Sequence, residues 1–329
     1  MDRRTALKTL AGSAGALFLT GQSSAAFPYQ HRYGWKPDLE SYRDFISRHE
    51  DAFITQKNDA IKGSGIGKKA FLHLALERVM GKKFQPHNQG APDCVSHAAG
   101  LGVDILSAVQ IAVDRLPYRW VGKAATEPIY GGSRVEIGGG VMGGGSTGHW
   151  AAEWVQRYGI LLRQKYPGGH DFTIYDALKA TQLGEEGCPD SLEPIAKLHP
   201  VKETGICTSY QDACDCIYNG SPVMVCSNVG FGRGRCRRDS EGFLTRKRSP
   251  WWHAMLFAGY DDTYRRPGAL CFNSWGTEWI YGPTRGSQPE GTFWVDADTV
   301  DVMLRQGDSF AFSAFRGFPR VVIPPYILY

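Results

Sequence analysis

Three residues whose side chains could support nucleophilic catalysis occur in one order along the chain: Cys94, His253 and Asn273. A catalytic thiol needs a base that takes its proton, and the base needs a third group that fixes its tautomer. Cysteine, histidine and asparagine can fill these roles. Each residue alone would more commonly be a core or turn residue. The combination predicts a thiol nucleophile activated by an imidazole.

The residues around Cys94 predict how the thiol is presented. Residues 95 to 113 are apolar on nearly every face, which indicates a buried central helix. Pro92 and Asp93 are typical of a helix start, so the thiol would lie in the first turn, where unpaired N–H groups favour a thiolate. We expect Asp93 to cap the helix and to turn its carboxylate away from the thiol. Gln89 and the Cys94 N–H could together stabilise a developing oxyanion.

The base and its partner are predicted to lie on neighbouring strands. His253 begins an extended apolar run, and Asn273 follows a shorter one. The Asn273 amide could accept a hydrogen bond from the imidazole, with Trp275 covering that bond from water. A helix is predicted from Ser209 to about Tyr218. The predicted strands are 222–229, 252–259, 269–273, 291–295 and 310–315. Helices first and strands second imply an α+β architecture with a cleft between two lobes.

These motifs resemble the catalytic constellation of the papain-like (C1 family) cysteine peptidases, and the resemblance spans roughly residues 84 to 315. It implies a papain-like two-lobed fold, with a helical lobe carrying the cysteine and an antiparallel β-barrel-like lobe carrying the histidine and asparagine. It implies the following roles: Cys94 as nucleophile, His253 as general base and acid, Asn273 as orienting residue and Gln89 as oxyanion donor. It also implies a glycine-rich wall, formed by Gly144, Gly145 and Ser146, that would bind an extended peptide through its backbone. Trp275 would be a further substrate-binding residue.

Three positions depart from the family pattern. Gln89 precedes the cysteine by five residues rather than six, Asp93 replaces a small neutral residue, and Val95 replaces a tryptophan. The expected function is an exported cysteine endopeptidase or amidohydrolase that cleaves peptide bonds through a Cys94 thioester. Two alternatives stay open: a catalytically silent papain-like peptide-binding protein, and an acyl transferase that uses the same three residues.

The first 26 residues resemble a twin-arginine export signal. Arg3 and Arg4 precede an apolar run from Leu10 to Thr20 and a small-residue exit at 23–26. The run is too short to span a membrane, so no stable membrane anchor is expected after signal removal. The mature protein is therefore expected in the periplasm or outside the cell. The predicted organisation is a signal peptide (1–26), an N-terminal helical extension (27–83), a helical lobe (84–205) and a β lobe (206–329).

Composition narrows the functional classes. The formal net charge is +4, and the signal segment contributes two of those charges, so a near-neutral mature chain argues against general nucleic-acid binding. No metal or organic cofactor is implied, the expected partner is a peptide or protein substrate, and the oligomeric state is not indicated. The eight cysteines leave at least one thiol besides Cys94 without an intramolecular partner.

Residues 233–248 carry seven cations and two acids. In a papain-like chain this basic segment would border the leaving-group side of the cleft.

Overall fold

The computed structural model describes residues 33–49 and 61–315. The predicted signal peptide lies outside the described residues, as does part of the predicted N-terminal extension. The strands are β1 (Lys69–Phe71), β2 (Lys165–Tyr166), β3 (His170–Asp171), β4 (Val201–Ile206), β5 (Val223–Ser227), β6 (Cys236–Arg237), β7 (His253–Asp261), β8 (Gly268–Phe272), β9 (Ile280–Tyr281), β10 (Thr292–Asp296) and β11 (Phe310–Phe315). The helices are α1 (Leu39–Arg48), α2 (His73–Met80), α3 (Cys94–Ala112), α4 (Thr126–Gly132), α5 (Gly148–Arg157), α6 (Ala177–Glu186), α7 (Glu193–Ala196), α8 (Tyr210–Tyr218) and α9 (Ala297–Leu304). A π-helical turn (Ser133–Ile137) continues α4, and a 3₁₀ turn (Pro167–Gly169) joins β2 to β3.

A seven-stranded antiparallel sheet organises the protein. Its strand order is β10-β8-β7-β5-β11-β4, and β1 pairs with the far end of β7. Most residues of β5, β7, β8 and β10 are buried. Their continuous apolar runs are therefore typical of strands that are covered on both faces. The sheet carries His253 at the start of β7 and ends β8 immediately before Asn273.

Helix α3 is the central helix of the fold. Every residue from Cys94 to Gln110 is buried, which confirms the prediction made from its apolar faces. The helix packs directly on the sheet. A side chain at Gly102 would place its Cβ 2.7 Å from the Phe312 ring of β11, so only glycine allows this approach. The helix is thereby fixed relative to the strands, and with it the residue at its N-terminus.

The predicted strands of the C-terminal half and the helix after Ser209 are confirmed to within one or two residues. Ser209 and Asp212 form a complete capping box at the start of α8. One local prediction was wrong. Within the N-terminal extension that was predicted as helical, residues 69–71 form β1 opposite Gly259–Asp261, because pairing with a distant strand outweighs the local helical pattern. The segments predicted as helical therefore also supply strands β1 and β4 to the sheet.

Candidate active site

The Cys94 thiol lies at the N-terminus of α3 and is fully buried. The Ala254 N–H lies 3.4 Å from its sulfur and points at it. This contact joins the first residue of the central helix to the start of β7, although 160 positions separate the two residues. The sequence prediction that the cysteine opens the helix is thus confirmed, and the strand that carries the histidine runs beside the thiol.

His253 and Asn273 are brought together by the pairing of β7 with β8. The imidazole Nε2 lies 2.8 Å from Oδ1 of Asn273, which also accepts the Ser274 N–H at 2.7 Å. Because Oδ1 can only accept, we assign the imidazole proton to Nε2. The Nδ1 atom has no hydrogen-bond partner among the described residues. The imidazole is therefore held in the tautomer whose Nδ1 can accept a proton.

Trp275 packs on this pair. Its ring centroid lies 4.5 Å from that of His253, and the residue is buried against Trp251 and Trp279. An aromatic cover lowers the local dielectric constant and so strengthens the His253–Asn273 hydrogen bond. Direct contact between Trp275 and a substrate stays a prediction.

The site favours a neutral thiol and a neutral imidazole. Burial, together with the smaller effect of the Asp93 charge, raises the pKa of Cys94 to about 12, although the N–H groups of Ala254, Gly34 and Val95 oppose the rise. Burial also lowers the pKa of His253 to about 4, although the hydrogen bond to Asn273 opposes this shift. Exposure of the site to solvent would move both pKa values toward their ordinary range and so favour the thiolate–imidazolium pair.

The Gln89 side chain is fixed beside Asn273 rather than pointing freely into a cleft. Its Nε2 donates to the Ala91 carbonyl at 2.9 Å, and its Oε1 accepts from the Ser274 hydroxyl. The Gln89 backbone N–H donates to the Ser274 carbonyl at 2.8 Å. An amide nitrogen carries two hydrogens, so the bond to Ala91 does not by itself remove Gln89 as an oxyanion donor. That role stays a prediction.

The prediction that Asp93 caps the central helix was wrong. Its side chain makes no bond to the first-turn N–H groups. The carboxylate instead accepts the Tyr175 hydroxyl at 2.9 Å and lies 3.3 Å from Nε2 of His97, one turn along α3. These partners are distant in sequence or buried, so the local preference of aspartate for caps could not reveal them.

Residues 33–36 occupy the wall that was predicted to bind substrate. The Ser146 N–H donates to the Gly34 carbonyl at 2.8 Å, and the Lys36 N–H donates to the Ser146 carbonyl at 2.9 Å. Trp35 and Ser146 form a parallel bridge. Gly145 is bound from behind, because its N–H donates to the Tyr130 hydroxyl and its carbonyl accepts the Arg134 guanidinium. The chain's own N-terminal region therefore forms the strand-like pairing expected for a peptide.

The same segment covers His253 and lies against the loop before Cys94. The Tyr33 ring lies 6.0 Å from the His253 ring and 5.7 Å from that of Trp275, while the Trp35 N–H donates to the Trp252 carbonyl at 3.0 Å. Gly34 is pressed against the loop before the nucleophile, where an added Cβ would lie 2.1 Å from the Pro92 carbonyl oxygen. No local pattern in the sequence indicated this role, because residues 27–83 were predicted only as an N-terminal extension.

The basic segment, residues 233–248, has both structural and exposed cations. Arg238 is buried and donates to the Gly282 and Thr292 carbonyls and to Glu290, so it has a structural role. The acids Asp239 and Glu241 are paired with Arg266 and Arg265 from outside the segment. The exposed cations are Arg233, Arg235, Arg237, Arg246, Lys247 and Arg248.

This segment lies beside the covered site. The Trp251 ring N–H donates to the Gly232 carbonyl at 2.8 Å. Burial raises the pKa of Tyr33 to about 12, and the charge of Arg233 opposes that rise. The Trp251 ring also lies 6.4 Å from that of Tyr33, so the start of the basic segment is close to the ring that packs on His253.

Two further features of the site concern ligands and membranes. Within residues 33–49 and 61–315, no cluster of three or more metal-ligating side chains is found, and His97 faces His87 and Asp93.

By length and hydropathy, α3 is the one described helix that could cross a membrane. Since 94% of that window is buried and a core helix passes the same test, this is weak evidence for a span.

The described architecture is that of the papain-like cysteine proteases. Xylellain, a cysteine protease from Xylella fastidiosa, superposes with a TM-score of 0.57 at 18% identity, covering 89% of this chain and 100% of xylellain. Procathepsin B from Trypanosoma congolense superposes with a TM-score of 0.53 at 12% identity, covering 87% of each chain. No family model matches the chain, and no curated protein matches it. The similarity at these identities establishes the fold, whereas the activity must be argued from the site.

Proposed function

We propose that this protein is an exported papain-like cysteine peptidase or amidohydrolase, held in a closed form by residues 33–36. The observation that carries the proposal is the placement of Cys94, His253 and Asn273. The Ala254 N–H points at the Cys94 sulfur, and the adjacent His253 is oriented by Asn273, while its Nδ1 has no hydrogen-bond partner among the described residues. Such an arrangement has the geometry of a nucleophile, a base and an orienting residue.

The chemistry follows from these positions. His253 Nδ1 takes the thiol proton, and the Cys94 sulfur attacks the carbonyl carbon of a peptide bond. The Cys94 N–H and Gln89 stabilise the oxyanion. The C–N bond breaks as Nδ1 returns its proton to the leaving amine, which leaves a thioester. Water then gives a proton to Nδ1 and attacks the thioester carbon, the C–S bond breaks, and the thiol recovers its proton.

The closed form explains why both reacting groups are buried and neutral. Residues 33–36 make backbone bonds to Ser146 of the glycine-rich wall and to Trp252, the residue before His253. Their departure would expose the Gly144–Ser146 backbone and would restore the ordinary acidity of the thiol. Activity therefore depends on displacement of this segment.

A catalytically silent binding protein is the second candidate function. The pKa of about 12 for Cys94, raised by burial and by the charge of Asp93, favours it, since an un-ionised thiol is a poor nucleophile. This candidate requires that Cys94 remain unreactive even when the cleft is open.

Covalent labelling with a peptidyl epoxide, followed by mapping of the modified peptide, tests the proposal. The probe is applied to the full chain and to Gly34→Ala, whose Cβ cannot fit against Pro92 and should displace the segment. Gly122→Ala is the matched control, because a Cβ there meets only ordinary contacts. We expect selective modification of Cys94, faster in Gly34→Ala, and none after His253→Ala. Cys236→Ala should label like the wild type.

Two results would overturn parts of the proposal separately. Labelling of Cys94 in Gly34→Ala no faster than that of thiols in the unfolded chain would favour the binding protein. Equal labelling and peptide turnover in the wild type, Gly34→Ala and Gly122→Ala would show that residues 33–36 do not close the site. Export is tested independently by cell fractionation and by sequencing of the mature N-terminus. Cytoplasmic recovery of the uncleaved chain would contradict it.

A further inference from the structure

The loop between Gln89 and Cys94 is held from outside by Tyr175. The N–H groups of Gly90 and Ala91 donate to the Tyr175 hydroxyl oxygen at 3.1 and 3.3 Å. The hydroxyl in turn donates to the Asp93 carboxylate at 2.9 Å. A single hydroxyl therefore binds three of the residues that separate the proposed oxyanion donor from the nucleophile.

Tyr175 also contacts this loop by apolar packing. Ala91 packs against Tyr175 in a small apolar cluster with Ala177 and Ala180 of α6. Ala91 also accepts the amide of Gln89 through its carbonyl. A hydrogen-bonded chain thus runs from Asp93 through Tyr175 and Ala91 to Gln89. These hydrogen bonds fix the direction of the Gln89 side-chain amide.

His97 contacts the same carboxylate oxygen as Tyr175, and the centroids of the two rings lie 4.8 Å apart. Its Nε2 lies 3.3 Å from Asp93 Oδ2, at ion-pair distance but without hydrogen-bond geometry, and its Nδ1 lies 3.1 Å from Nδ1 of His87. Asp93 and His97 are both almost fully buried. A buried carboxylate is costly unless it is paired and hydrogen-bonded. The Tyr175 hydroxyl supplies a hydrogen bond to Oδ2, whereas Oδ1 has no hydrogen-bond partner among the described residues.

We propose that Tyr175, Asp93 and His97 form a positioning unit that sets the shape of the oxyanion loop. The loop between Gln89 and Cys94 is one residue shorter than in the papain family pattern, and these contacts hold the shorter loop in place from outside. They keep Gln89 aligned with the Cys94 N–H. Asp93 stands beside the nucleophile because it anchors the Tyr175 hydroxyl, and the His97 ring packs on both of them. This inference rests on the proposed function, since a positioning unit matters only where an oxyanion forms.

The test separates two reactions of the same thiol. Acylation by a peptide substrate passes through an oxyanion, whereas alkylation by iodoacetamide does not. We expect Tyr175→Phe to lower kcat about tenfold or more with little change in KM, and to leave the alkylation rate of Cys94 within about twofold of its parent. Asp93→Ala should lower kcat in the same way, but it should raise rather than lower the alkylation rate, because the Asp93 charge raises the pKa of Cys94. Asp93→Asn keeps an acceptor for the hydroxyl and should recover part of the lost kcat.

Tyr166→Phe is the matched control. Its hydroxyl also makes two buried hydrogen bonds in the helical lobe, to the N–H and carbonyl of Leu162, but it does not contact the oxyanion loop. It should lower the melting temperature without a selective loss of kcat. All variants are made in the full chain, in the wild-type and the Gly34→Ala backgrounds.

Three outcomes decide between the explanations. An unchanged kcat in Tyr175→Phe, with a parent that turns over substrate, would refute the positioning unit and leave the proposed function intact. Equal losses of kcat and alkylation rate in Tyr175→Phe would assign a purely structural role and would also refute it. A parent that neither turns over substrate nor alkylates selectively at Cys94 would refute the proposed function itself, and the positioning unit with it.

Discussion

Nε2 of His253 lies 2.8 Å from Oδ1 of Asn273, while Nδ1 of the same ring has no hydrogen-bond partner among the described residues. The asparagine therefore orients the base and does not take its proton. We predict that Asn273→Ala lowers kcat on the order of 10²-fold and leaves measurable turnover, whereas Cys94→Ala abolishes covalent chemistry. Steady-state kinetics on correctly folded variants check this. Complete loss in both would contradict the orienting role.

The buried carboxyl group of Asp104 should make the free energy of unfolding depend on pH. Burial raises its pKa to about 7, although the charges of Lys123 and Arg163 and the Ala124 N–H oppose the rise. One carboxylate oxygen accepts that N–H at 2.7 Å, and the other has no hydrogen-bond partner among the described residues. The folded protein thus holds a proton that the unfolded chain releases near its ordinary pKa. The contribution of Asp104 to stability is therefore complete below about pH 4 and is lost as the pH rises toward about 7.

The variant Asp104→Asn mimics the protonated side chain and should remove this loss. We expect wild-type stability to fall relative to Asp104→Asn by roughly 2 to 4 kcal/mol between about pH 4 and pH 8. Urea denaturation across this range measures the difference, and other titrating groups cancel in the comparison. Parallel curves for the two proteins would show that Asp104 is ionised in the folded state.

The exposed cations of the basic segment are predicted to favour acidic residues on the leaving-group side of a substrate. Arg238 is unsuitable for the test because it is buried and bonded to backbone, so the variant is Arg233→Glu with Arg237→Glu. The specificity constant for acidic peptides should fall about fivefold or more at low salt, and neutral peptides should change little. Salt should weaken the preference, because charges are screened over roughly 10 Å at moderate ionic strength.

Lys82→Glu is the control for this prediction, since Lys82 is exposed and lies outside the basic segment. It should leave the ratio between acidic and neutral substrates unchanged. Identical rates on acidic and neutral peptides across a salt series, in the wild type and the double variant alike, would reduce the basic segment to a solvated surface.

Cys207 and Cys216 provide a test of the compartment. Their sulfur atoms lie 3.6 Å apart and both residues are buried, and all eight cysteines are unbonded in this structure. We predict that protein recovered from outside the cytoplasm carries a Cys207–Cys216 disulfide, because exported thiols at contact distance are oxidised there. Alkylation in denaturant, with and without reduction, followed by peptide mapping, detects it. Two alkylated thiols in unreduced exported protein would contradict the prediction.

Loss of that disulfide should also weaken the fold. Cys207→Ser should lower the stability of oxidised protein by about 2 to 3 kcal/mol and should leave the reduced protein much less affected. Cys94 must remain a thiol in the same material. Mixed pairing that includes Cys94 would be incompatible with the proposed catalysis.

Contiguous residues determined most of the fold. The apolar faces after Cys94 predicted the central helix, and the alternation of apolar and turn residues predicted strands β5, β7, β8, β10 and β11. The capping box at Ser209 predicted the start of α8. The three catalytic motifs are equally local, because each is a short segment whose residues carry their own chemistry. Such signals survive in the sequence since they depend on neighbours a few positions apart.

Only the tertiary structure decided what those motifs contact. The covering of His253 by Tyr33, the approach of Gly34 to Pro92 and the anchoring of Asp93 by Tyr175 join residues from 58 to 220 positions apart. Asp93 makes no cap bond, because its carboxylate is turned toward the Tyr175 hydroxyl and the His97 imidazole. Contacts of this kind arise from the relative placement of the α3 helix, the sheet and the N-terminal segment. No residue's local neighbours encode that placement, so the sequence could name the reacting groups but not the segment that covers them.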